Sequence, residues 1–379
     1  MQLRRALLVP LSVVLAACGH AEPKELRVAV LAPGGDFWAV AAGLPSLQGA
    51  RMAADEVNGG DGVLIGGDRY RLVVVEKSYL AGASTAVAAA REAIERDRVH
   101  FIVGPGISDH ALAVAAVAES AGVPMLSPMS SSPLLTAHRR FVSRLALLDD
   151  AQGMILARFA HSELKLQRAA ILQDSSISSA RSIADFFLRT FVASGGEVTG
   201  IESYATADSG DFRPKLKRLL ATNPQALLLP NYISADSVQL RVARSLGFRG
   251  AFLGSDMWDA RTLRRVPDAV GAYLVHQWNP ASPAPMAQRF VRAYMQQHGS
   301  EPRTTAAATY DAIRLVAEAA RRAGSLDGGL LTDTLRTFGR FAGAMATYRF
   351  TGSGDPKRGG VLVRLGVQRD SVFAFMDVP

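Results

Sequence analysis

The chain is almost free of cysteine: Cys18 is the single one in 379 residues. One cysteine closes no internal disulfide, so the fold depends on its core and not on cross-links. Lysine is scarce too, at six of 42 basic residues. No basic run interleaved with aromatics occurs, which disfavours nucleic acid as a partner. Beyond Cys18 no apolar stretch is long enough to span a bilayer. The seven histidines show neither the paired helical spacing of a metalloprotease nor any other metal-ligand pattern. A phosphate loop of the G-x-x-x-x-G-K type and a G-x-S-x-G nucleophile elbow are both missing. Gly104-Pro105-Gly106 follows a strand pattern, but a dinucleotide fingerprint would need its third glycine at Asp109, and Pro105 removes an amide donor. No nucleophile, base and orienting group can be assembled from motifs, so the sequence argues against an enzyme and calls for no cofactor or metal.

What is present begins at the amino terminus. Arg4 and Arg5 precede an apolar run, Ala6–Ala16, too short to cross a membrane, which reads as a secretory signal. Its end, Leu15-Ala16-Ala17-Cys18, resembles the lipobox of bacterial lipoproteins. That resemblance implies a signal peptide over 1–17, a lipid anchor on Cys18 and a short tether over 18–25. It predicts a location in the periplasm or at the cell surface, held to a membrane. Gly19 is not the aspartate often linked to inner-membrane retention, which favours an outer membrane where the host has one and leaves the choice of membrane open. Loss of the signal lowers the net charge from +8 to +6. The remaining 362 residues are too many for one simple core and suit two lobes.

Apolar strand patterns then alternate with helical ones. Leu26–Leu31 reads as a buried strand, Gln48–Val57 as a helix closed by Asn58-Gly59-Gly60, Leu72–Val75 as a strand and Ser84–Arg96 as a helix. Val99–Val103, Ala111–Ala121 and Val123–Leu126 continue the series. It resumes with Ala169–Leu172, Ser179–Ser194, Val198–Tyr204, Phe212–Ala221, Ala226–Leu229, Asp236–Leu246, Ala251–Leu253 and a short helix at Arg261–Val266. Helices over Ala284–His298 and Thr305–Ala323 and strands over Tyr348–Phe350, Val361–Leu365 and Val372–Met376 close the chain. This alternation predicts an α/β fold with mostly parallel, doubly wound sheets in two lobes.

Such sheets bind ligands at the carboxyl ends of their strands, which directs attention to six loops. Ser108 follows one strand and precedes a helix, where its hydroxyl and free amides could hold an anion; equally, Ser108 or Asp109 could simply cap the helix. Ser127-Pro-Met-Ser-Ser-Ser-Pro133 offers Met129, Ser130 and Ser131 without side-chain charge, or is a polar turn. Asp256 could hold an ammonium group, or cap a helix. Trp38 and Tyr232 could wall a pocket with aromatic faces. Together these loops offer an anion-binding end and a cation-binding end, which would match a zwitterion such as an α-amino acid.

The chain resembles the leucine/isoleucine/valine-binding protein family, the type I periplasmic binding proteins of ABC importers. The likeness is carried by Gln48-Gly-Ala-Arg-Met-Ala-Ala-Asp-Glu-Val-Asn-Gly-Gly60, by Ser127-Pro128 with Pro133-Leu-Leu-Thr136, by Asp211-Phe212 with Leu216 and Leu219, and by Thr309–Ile313 running to Arg322-Ala-Gly324. It implies that Ser108 and Ser131 bind a ligand carboxylate. It also implies that the Met129 carbonyl and Asp256 take an ammonium, and that Tyr232 belongs to the second lobe's wall. Where the family often has a tyrosine over the ligand, this chain has Ser178. Ile107 stands where some members have a cysteine. The resemblance further implies a clamp that closes on its ligand and is recognised by an ABC transporter permease. It places lobe 1 over 26–148 and 278–346, and lobe 2 over 149–277 and 347–379, joined by a three-segment hinge. The rival expectation is a lipoprotein of the same fold that regulates a cell-wall synthase or membrane receptor through protein contacts.

Overall fold

The structure, a computed structural model, describes residues 24–80, 82–208, 211–367 and 371–376. Cys18 and the expected signal peptide lie outside the described residues. Six strands form the first sheet: β1 (Lys24–Pro33), β2 (Val63–Ile65), β3 (Asp68–Tyr79), β4 (Phe101–Val103), β5 (Met125–Ser127) and β6 (Val142–Arg144). Their order is β2-β3-β1-β4-β5-β6. All neighbours are parallel except β2 and β3, which form an antiparallel pair across Gly66-Gly67.

The strand period of two explains why β1 is apolar on both faces. Leu26, Val28, Val30 and Ala32 point into one core, beneath the helices Leu44–Gly59, Pro285–His298 and Thr304–Ala323. Ala29 and Leu31 point into another, beneath Ala83–Glu95 and Ser108–Ala121. Helices Leu44–Gly59 and Thr304–Ala323 meet backbone to backbone at Gly49, where a Cβ would sit 2.1 Å from the Ala306 carbonyl oxygen.

The second sheet contains β7 (Arg168–Asp174), β8 (Glu197–Tyr204), β9 (Ala226–Leu228), β10 (Ala251–Gly254) and β11 (Tyr273–His276). Its order with the two last strands of the chain, β14 (Gly360–Arg364) and β15 (Ser371–Met376), is β15-β14-β11-β10-β9-β7-β8. β7 repeats the two-sided pattern. Ala170 and Leu172 face the core under Arg213–Ala221 and Ile233–Ser245, and Ala169 and Ile171 face that under Asp149–Arg158 and Ser178–Ala193. Two doubly wound α/β lobes result.

One expected boundary needs correction. The strand Thr347–Phe350 (β13) pairs with Gly339–Ala342 (β12), and its Tyr348 and Phe350 are buried in the first lobe's core. The return to the second sheet therefore falls after Phe350, not near residue 347. There, buried Arg358 ties three chain segments together. Its guanidinium donates to the Leu145 carbonyl at 3.1 Å, to Gln277 Oε1 at 3.2 Å and to the Gln277 carbonyl. Gln277 Oε1 also accepts from the Leu147 amide at 2.6 Å. The three crossings between lobes are thus joined by one arginine and one glutamine.

Candidate functional site

A cavity of about 780 Å³ lies between the lobes, within the ~300–1,000 Å³ range of small-molecule sites. Ser108, Met129, Ser131, Tyr232, Asp256 and Trp38 all line it. Strand ends explain the convergence. Ser108 opens the helix that follows β4, Met129 and Ser131 follow β5, Asp256 follows β10, and Tyr232 precedes the helix after β9.

On the first lobe the serines form a buried hydroxyl chain. Ser108 Oγ accepts from Ser130 Oγ at 3.2 Å and from Ser179 Oγ at 3.0 Å. Ser127 Oγ accepts from the Ser130 amide and donates to the Pro105 carbonyl. Beneath this loop lies Arg144, wholly buried, donating to the Ser130 and Ser132 carbonyls at 3.2 and 2.6 Å and to Asp355. Burial pulls the Arg144 value down, and Asp355 opposes the shift. An ionic staple therefore fixes the loop's backbone, while the free amides at the start of the Ser108–Ala121 helix favour negative charge.

The second lobe supplies the opposite charge. The Asp256 carboxylate accepts from Gln277 Nε2, and its backbone amide donates to Gln152 Oε1 at 3.1 Å. Burial pushes the Asp256 carboxyl up to about 6, against the pull of these glutamines and of Arg358. Tyr232 is held neutral by burial, and its ring meets Trp38 of the first lobe edge to face at 5.3 Å.

Two expected site residues do not line the cavity. Ser130 is wholly buried behind it, spending its hydroxyl on Ser108. Ser178 sits at the rim, where it donates to Asp109 Oδ1 across the lobes at 2.7 Å. The adjacent Ser179, on the next position of the same helix, lines the cavity instead. The helix begins at Ser178, so a one-residue step turns the side chain by about 100°.

Other residues were not visible from sequence. Asp149 is wholly buried at the start of the helix Asp149–Arg158, where its carboxylate faces the Ser131 and Ser179 hydroxyls. Burial pushes it up to about 8; the Asp256 charge adds to the shift, and Ser131, Arg144 and Ser179 oppose it. The one available signal was the acidic pair Asp149-Asp150 at a helix start. Two further inter-lobe contacts, both ion pairs, line the cavity. There Arg303 pairs with Asp259 at 3.0 Å and Arg261 with Glu301 at 3.2 Å. No group of three or more metal-ligating side chains occurs among the described residues.

Comparison with known proteins agrees with this architecture. A family model described as periplasmic binding protein matches residues 25–376. The chain belongs to that family. Among curated relatives, the leucine-specific-binding protein of Salmonella typhimurium is 30% identical over 213 residues, 55% of each chain. The leucine-, isoleucine-, valine-, threonine-, and alanine-binding protein of Pseudomonas aeruginosa is 23% identical over 76% of each. The chain spans about half the length of the first of these relatives. A solved structure, a leucine binding protein from Thermotoga maritima, superposes with a TM-score of 0.84 at 29% identity, covering 93% of this chain and 99% of that one. Periplasmic binding proteins work outside the cytoplasm, and no helix among the described residues is long and apolar enough to cross a membrane.

Proposed function

We propose that this periplasmic binding protein captures an α-amino acid between its lobes and delivers it to an ABC importer. One observation carries the reading: hydroxyls of the first lobe, on Ser108 and Ser131, line the same inter-lobe cavity as the second lobe's Asp256 carboxylate. A ligand carboxylate at the serines and helix amides, with its ammonium at Asp256 and the Met129 carbonyl, satisfies both ends at once. Closure removes water and strengthens those bonds. The contacts Ser178–Asp109, Ser179–Ser108 and Trp38–Tyr232 span the lobes and hold the closed form. An importer permease reads that form. Lobe 1 comprises residues 26–148 with the segment from 278 to Phe350, and lobe 2 the remainder after 149. Cys18 carries the lipid that tethers the clamp to a membrane.

A thermal-shift screen of amino acids, organic acids and amines tests the reading. A ligand that binds only the native state raises the melting temperature by mass action. Shifts confined to α-amino acids support the proposal. Shifts only with acids lacking an amine remove Asp256 as an ammonium partner. A flat screen favours the protein-contact lipoprotein.

A further inference from the structure

The cavity lining also carries polar groups with no hydrogen-bond partner among the described residues. Trp278 is 3% exposed and Thr309 1%, and both line the cavity. The Trp278 Nε1–H and the Thr309 hydroxyl are buried and have no hydrogen-bond partner among the described residues. The Thr305 hydroxyl, one helical turn before Thr309 on the helix Thr304–Ala323, is buried and unpartnered in the same way and lines the same cavity. Buried polar groups ordinarily find partners, and three orphans lining one cavity point to something that enters it.

The chemistry of the orphans is specific. An indole N–H only donates, so its partner must be an acceptor. The two hydroxyls donate to an oxygen and accept from an N–H. A purely hydrocarbon side chain closed into this cavity would leave all three unsatisfied. A side-chain carboxylate would add a second negative charge with no free cation in the lining to balance it. None of the lining arginines is free: Arg261 pairs with Glu301, Arg303 pairs with Asp259, and Arg264 has a partner as well. A neutral amide supplies a carbonyl oxygen for Trp278 and Thr309 and an NH2 for Thr305, with no added charge.

We infer that the ligand is an amino acid whose side chain ends in a carboxamide, recognised by Trp278, Thr305 and Thr309. This rests on the α-amino-acid reading of the site and deepens it. It separates this chain from relatives named for leucine.

Calorimetric titration of the purified protein with near-isosteric pairs tests the inference: asparagine against leucine, and glutamine against homoleucine, with aspartate and glutamate as charged controls. The expected result is at least tenfold tighter binding of the amide member. Thr309→Val keeps the shape and removes the hydroxyl. It is expected to weaken amide binding about tenfold and leave leucine within twofold, and Trp278→Phe gives a second, independent loss of the donor. Equal or tighter binding of leucine or homoleucine would overturn the inference while leaving the amino-acid reading intact. Tighter binding of aspartate or glutamate would overturn the neutral-amide assignment. Binding by none of these amino acids would overturn the functional reading itself.

Discussion

Asp256 is the charged hinge of the proposal, and Asp256→Asn is its sharpest perturbation. The substitution keeps the shape and one oxygen for Gln277, and leaves untouched the backbone bond to Gln152. It removes the negative charge and turns the second carboxylate oxygen into an NH2 donor. With its value pushed up to about 6, Asp256 is mostly ionised at pH 7.5, so little binding energy is spent on ionising it. A unit pair about 4 Å apart is worth ~4 kcal/mol at an effective dielectric near 20. Part of that is offset by desolvating the ligand's ammonium. The expected loss is about 2–3 kcal/mol, roughly 30- to 150-fold in Kd. Titration calorimetry at pH 7.5 reads it directly, with melting temperature as the control for folding. The pH profile gives a second readout. An ammonium beside Asp256 lowers its value in the complex, so wild-type affinity falls as pH drops below about 6. The variant's affinity stays flat over that range. A change in Kd of less than twofold at pH 7.5 would refute the charge argument.

Asp149 makes a stability prediction. Its folded value of about 8 stands above the ordinary carboxyl near 4, so the folded state holds the proton more tightly than the unfolded one. The stabilising contribution of that proton is present below pH 4 and is lost as pH rises to about 8. Asp149→Asn is therefore expected to raise the melting temperature relative to wild type by an amount that grows from pH 4 to pH 8; a pH-independent difference would contradict this. Arg303→Ala opens the ion pair to Asp259 that joins the lobes. Partly exposed pairs contribute about 1 kcal/mol, so ligand affinity should fall several-fold with no loss of folding. Small-angle scattering should show a larger radius of gyration for the unliganded variant, and an unchanged radius would remove the pair from the clasp.

The alternation of strands and helices was legible because β1 and β7 are long and apolar on both faces. β6 was missed because Ser143 and Arg144 break its apolar run, β2 because it is three residues between glycine-rich turns, and the helix Asp149–Arg158 because Gln152 and Gly153 interrupt its apolar stripe. The third crossing was misplaced for a related reason. Tyr348 and Phe350 look like strand residues of either sheet, and only the antiparallel pairing with β12 assigns them to the first lobe.

Within the candidate site, residues at strand ends were legible because the position itself is a signal. Ser108, Ser131 and Asp256 all line the cavity for that reason. Residues that act from helix faces or from the hinge carried no such signal. Thr309 lies inside a stretch that reads as ordinary helix, and Arg144, Gln277 and Arg358 matter only through contacts far apart in sequence. Ser178 and Ser179 show the limit of positional reasoning: one residue decides whether a hydroxyl faces the cavity or the rim.

The central claim is that both ends of a zwitterion are held. The direct test is calorimetry with the best-binding amino acid and two analogues, one N-acetylated and one with its α-carboxylate converted to a methyl ester. The account predicts that each modification alone weakens binding by at least about 2 kcal/mol, some 30-fold, because each leaves one set of buried partners unpaired. An analogue that binds as tightly as the parent amino acid would show that the corresponding end of the cavity does not hold that charge.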